Sequence, residues 1–120
     1  MADRGSVVVE AAIIVPLLLL VFLAGVELFG VARTQVELTA AAREGARQAA
    51  TSSDPARAVR SVRAALGPAT RSDAAVSVRR PGVVGAVATV SVRLEYPFVS
   101  FLWGGVRIPL RASASMRTER

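Results

Sequence analysis

Residues 11–26, "AAIIVPLLLLVFLAGV", carry no charged side chain, and this run constrains the chain more than any other feature. With the apolar residues 7–9 before it and 28–32 after it, the stretch is long enough to cross a bilayer as a helix, which takes about 20 residues. Once that segment is set aside, a chain of 120 residues leaves material for one small domain at most. Pro16 would weaken a helix in water. In a membrane span it is tolerated, because neighbours or local adjustment satisfy the freed carbonyl of Ala12, and it predicts a mild kink.

One acid, Glu10, stands at the start of this run. A charge at the bilayer centre costs about 2.5 to 3.5 kcal/mol on insertion scales, so its presence needs a reason. A removable signal peptide is one reading of "MADR" followed by an apolar core, with "GVA" at residues 30–32 as the best cleavage site. Against it, Glu10 interrupts the start of the core and Glu27 lies near its end, and a signal core of about 7 to 15 residues needs neither. A cut after Gly5 gives Glu10 a role: the new amino terminus at Ser6 lies four residues away on one helix face, able to neutralise the acid within the chain or in an adjacent subunit. The plainer alternative is that Glu10 snorkels to the interface.

Composition removes whole classes of chemistry. There is no cysteine and no histidine, so thiol nucleophiles, disulfides, the usual zinc ligands and imidazole acid/base catalysis are excluded. The carboxylates are too scattered to mark a metal cage or a paired acid/base site, and there is no phosphate loop or nucleophile elbow. The expectation is a protein that is not an enzyme and binds no cofactor or metal. All 15 basic residues are arginine and the net charge is +6, a balance suited to nucleic acid, anionic lipid or an acidic partner. The arginines run singly from Arg33 to Arg120, with Arg79 and Arg80 the one adjacent pair, and this spread argues against nucleic acid.

The junction "RGSVVVEAAIIVPLLLL" resembles a type IV prepilin leader: a short basic leader ending in glycine, four residues, then glutamate and an apolar helix, with Arg4, Gly5 and Glu10 at the matching positions. The following "VELFGVARTQVELTAAAREGARQAA" resembles the TadE-like pseudopilins of the tight adherence pilus, whose apolar helix runs on into an "AAREGAR" segment, here residues 41–47. The likeness extends to "VSVRLEYPF" and "ASASMRTE". It implies cleavage between Gly5 and Ser6 by a prepilin peptidase. It also implies a minor structural role in a bacterial cytoplasmic membrane, with other pilins, pseudopilins and membrane components of the pilus machinery as partners. The leader would then be cytoplasmic and everything after about Ala32 outside. The arginine count runs the other way, since Arg33, Arg43 and Arg47 outnumber Arg4 plus the amino terminus. Glu37 and Glu44 are interleaved, however, and Arg43 and Arg47 stand about 15 to 20 residues past the uncharged run that ends at Val26, near the limit of that rule.

Beyond the span, Leu28, Ala32, Val36, Thr39, Ala42, Ala46 and Ala49 recur at helical steps, so the helix is expected to continue to about residue 50 with one small-residue stripe. Gly45 is either a tolerated glycine near a frayed end or a close packing contact. A second helix is expected at about 55–66, capped by Asp54, opened by Pro55 and stopped at Gly67 and Pro68. Val59, Val62 and Leu66 would be its buried edge, and Arg57, Arg60 and Arg63 its solvated face. The period then changes to two. Val90, Val92, Leu94 and Tyr96 alternate with Thr89, Ser91, Arg93 and Glu95, and Val106, Ile108, Leu110, Ala112, Ala114 and Met116 follow the same pattern. With a shorter run at about 75–80 ending at Pro81 and Gly82, these predict three antiparallel strands at about 75–80, 86–96 and 106–117. Pro109 suits an edge or a bulge.

The expected architecture is therefore α+β: leader 1–5, span 6–32, and an extracytoplasmic domain 33–120 with a pilin-like long helix, a short helix and a small antiparallel sheet. The segment "YPFVSFLWGG" holds four of the six aromatics. Phe98, Phe101 and Trp103 either cover a small core or form an exposed patch, which would serve the alternative function, a secreted or anchored binding domain.

Overall fold

A computed structural model of the chain describes residues 2–98 and 105–118. The elements are α1 (Ala2–Thr51), α2 (Pro55–Ala65), a one-turn α3 (Pro68–Arg71), and strands β1 (Ala75–Arg79), β2 (Val87–Phe98) and β3 (Val106–Arg117). The strands form one antiparallel sheet in the order β1-β2-β3. The fold is α+β, as the change of hydrophobic period predicts. The chain divides into two compact units, Met1–Gly30 and Val31–Arg120.

The first unit is the amino-terminal part of α1. Val7, Ile13, Leu17, Leu18, Val21 and Phe22 are all exposed there, on every side of the helix. A helix that is apolar all round needs an apolar surrounding, and this is the one helix among the described residues long and apolar enough to cross a membrane. It is the candidate membrane anchor.

The second unit has a small, alanine-rich core. Leu38, Ala41, Ala42, Ala46 and Ala49 of α1 pack with Ala58, Val62 and Leu66 and with Val90, Val92, Leu94, Leu110 and Ala112 of the sheet. Small residues on α1 let the sheet and α2 approach its backbone. The buried phase of α1 differs from the expected one: Leu28 and Val36 are exposed, at 61% and 70%, and Ala32 is exposed as well. The face toward the core follows Val31, Leu38 and Gly45 in one row and Gln35, Ala42 and Ala49 in the next. A seven-residue step keeps one helix face on a flat partner, and it buries the large Leu38 in place of Val36.

On α2 the buried positions are Ala58 and Val62, with Leu66 just beyond and Val59 only half-buried. The close approach of α1 admits alanine at this contact more readily than valine. The Asp54 carboxylate accepts the Ala56 N–H at 3.0 Å, with Pro55 opening the helix. Arg57, Arg60 and Arg63 are exposed.

Register places Val90 opposite Ala114, Val92 opposite Ala112 and Leu94 opposite Leu110. Val106 and Met116, expected inward, are 51% and 42% exposed, because β3 is an edge strand: Ala88, paired with Met116 on the central strand, is fully buried. β1 reaches only as far as Arg93 on β2, so Pro97 and Pro109 both lie where no neighbouring strand needs their missing N–H from one side. The β1–β2 turn uses Gly85 at φ +88, not Gly82, and its N–H is bonded to the Thr118 carbonyl at 3.0 Å. Gly67 and Pro68 end α2 as expected, but Pro68 also opens α3, whose four residues are too few to carry a periodic signal.

Candidate assembly site

Gly5, Ser6 and Glu10 lie on exposed helix in the first unit, and a Cβ at Gly5 would have nothing within 4 Å. Ser6 and Glu10, four residues apart, share one helix face about 6 Å apart along the axis. A proteolytic amine at Ser6 would therefore stand one turn from the Glu10 carboxylate. Pro16 sits inside α1. The helix continues on both sides of it.

In the second unit the residues of the "AAREGAR" segment are divided by face. Ala41, Ala42, Gly45 and Ala46 are buried, while Arg43 and Arg47 are exposed. Gly45 is the closest approach: a Cβ there would overlap Val62 Cγ2 and lie 3.0 Å from Val90 Cγ1 and 3.6 Å from the Ala58 carbonyl. One missing methyl thus allows α1, α2 and β2 to meet at a point. On the outer side Arg47 donates twice to Glu44, Nη2 to Oε1 at 2.8 Å and Nε to Oε2 at 3.2 Å. The hydrogen bond from Arg47 holds the Glu44 carboxyl below its usual range, and Glu44 raises Arg47. Because the folded-state value of Glu44 is lowered, its contribution is present above the unfolded carboxylate value and disappears as pH falls through the folded one. Solvent screening of this partly exposed pair keeps that contribution small.

Three longer-range bonds brace α1, and the sequence signalled none of them. The Glu37 carboxylate accepts the Gly67 N–H at 2.5 Å, Arg80 Nε donates to the Ala49 carbonyl at 2.8 Å, and Gln35 Nε2 donates to the Arg111 carbonyl at 2.7 Å. Glu37 reads in the sequence as a charge interleaved among arginines; its partner is a backbone group thirty residues away, which side-chain patterning does not reveal. Glu37→Ala is expected to cost about 1 to 3 kcal/mol by stranding that N–H, and Glu37→Gln to recover most of it through its amide oxygen. Denaturant titration of the detergent-solubilised chain checks both.

Tyr96 packs against the core and Phe98 is half-buried. Phe101 and Trp103 lie outside the described residues. Among the described residues no group of three or more carboxylate, histidine or cysteine side chains could hold a metal.

The comparison with protein families falls on α1. Residues 5–47 match the family model of the TadE-like proteins. The TadE-like segment thus begins at Gly5, contains Glu10 and Pro16, and closes at Arg47 on the Gly45 contact. It does not reach "VSVRLEYPF" or "ASASMRTE", so the likeness read in those stretches has no support from the match. No curated protein and no solved structure matches the chain. The match suggests involvement in the tight adherence pilus system.

Proposed function

We propose that the chain is a minor pseudopilin, a structural subunit in the assembly of a tight-adherence pilus or its secretion apparatus. In this reading a prepilin peptidase cuts after Gly5 and residues 6–32 anchor the product in the cytoplasmic membrane. The Val31–Arg120 unit then stands outside the cytoplasm among other pilins. The TadE-like match from Gly5 through Glu10 to Arg47 carries the proposal, and the exposed apolar helix supports the anchor. Glu10 serves association: an acid one turn from the Ser6 amine finds a cationic partner in a medium where an unpaired charge is costly.

Glu10→Val is therefore expected to leave cleavage intact and insertion no harder, while co-purification with other pilus components and piliation are lost. Normal assembly of that variant would remove the pairing role and favour snorkelling. Orientation is tested separately by a reporter fused after Arg120. An enzyme active only outside the cytoplasm is expected to work there, and activity of one confined to the cytoplasm would defeat the prepilin assignment.

A further inference from the structure

The arginines that run singly along the sequence do not stay dispersed. A strand sends alternate residues to one face, and register places Arg79, Arg93, Arg107, Arg111 and Arg117 on the sheet face turned away from the core. Arg93 lies directly opposite Arg111. Like charges in that relation destabilise a sheet, so the pair costs stability unless an anion offsets it. The strands' acid on this face, Glu95, is 3.5 Å from Arg107; among the described residues Arg93 and Arg111 form no ion pair within 4.0 Å, and Asp73 lines the same cleft as Arg93 and Arg107. The neighbouring row is Ser77, Ser91 and Ser113, whose hydroxyls can donate to an oxyanion.

Contacts within the unit show which end of this face is which. Gln35 bonds Arg111; Gly45 meets Val90, which pairs with Ala114; and the Ala49 carbonyl is held by Arg80, next to Arg79, which pairs with Thr89 opposite Ser115. Ascending α1 thus follows β3 from Arg111 toward Ser115. Within the unit, the Arg93, Arg107 and Arg111 end is the one beside Gln35, near the start of the unit's part of α1, and Val106, half exposed, is at its tip.

We propose that Arg93, Arg107 and Arg111 dock the folded unit on the phosphate headgroups of an anionic bilayer. This rests on the reading of the apolar run as a membrane span. Such a span holds the face within reach of headgroups at high effective concentration, and guanidinium binds phosphate in a forked, bidentate manner. The strand residues on this face include no aromatic, which disfavours a protein interface with its apolar centre and a nucleic acid needing stacking platforms.

The chain has no cysteine, so Ser115→Cys, at an exposed position outside the proposed docking residues, carries a single fluorophore. The full chain is reconstituted into phosphatidylcholine vesicles with acceptor-labelled headgroups, with and without phosphatidylglycerol. Energy transfer is expected to be stronger with phosphatidylglycerol, and the increment to fall with salt and vanish in the Arg93→Gln, Arg107→Gln, Arg111→Gln variant. Each arginine should change the docking equilibrium about fivefold. Equal transfer in both vesicles, or an increment that survives the triple substitution, overturns the docking alone. A label that responds to added polyglutamate but not to phosphatidylglycerol overturns it in favour of an acidic polypeptide. Complete extraction of the chain from both vesicles by alkaline carbonate overturns the span, and the docking with it.

Discussion

Gly45→Leu is expected to leave the Val31–Arg120 unit without a stable fold. At this position even a methyl would overlap Val62 Cγ2 and crowd Val90 Cγ1, and both valines are fully buried. Gly45→Ala isolates the effect. Alanine gains about 1 kcal/mol of helix propensity over glycine, whereas overpacking a close-packed core costs about 1 to 3 kcal/mol. The net change is destabilising despite the better helix former. Val62→Ala removes the obstructing methyls, so it should cost clearly less in the Gly45→Ala background than alone, and that non-additivity marks direct contact. Denaturant midpoints of the four detergent-solubilised chains measure the cycle. Simple additivity would show that Gly45 is a tolerated glycine.

Processing is the second large effect. The mature chain is expected to begin at Ser6, because "MADRG" presents a basic residue and a glycine at the junction, where an added side chain would meet no part of the chain itself. Gly5→Leu should abolish the cut, leaving Met1 at the amino terminus in mass spectrometry and amino-terminal sequencing. Because no neighbouring atom lies near Gly5, the substitution leaves the fold unchanged, and loss of processing then reports on peptidase recognition. A product beginning at Arg33 would instead identify a conventional signal peptide, and Met1 in the unaltered chain an uncleaved anchor.

Much of this was legible in the order of residues alone. The uncharged run at residues 11–26 marks a helix long and apolar enough to be a candidate membrane anchor. The junction of Gly5, Ser6 and Glu10 and the "AAREGAR" segment are local patterns, and the family match spans those residues. The change from helical to alternating period gave the α+β class, because backbone geometry imposes those two periods directly. Asp54 and Pro55 marked the start of α2 for the same local reason.

Tertiary structure decided what depends on a partner distant in sequence. The face of α1 that became buried was set by docking: helical periodicity allows the row through Val36 and the row through Leu38 alike, and the sheet took the one with the larger anchor and the glycine. Val106 and Met116 satisfied the inward alternation yet lie on the edge strand, where the same face is less covered than on the central one. Glu37 found a backbone N–H thirty residues away. The arginines read as scattered because sequence distance separates Arg93 from Arg111, while antiparallel register makes them neighbours. Patterning fixes which side of a strand a residue occupies; only the pairing of strands fixes what stands beside it.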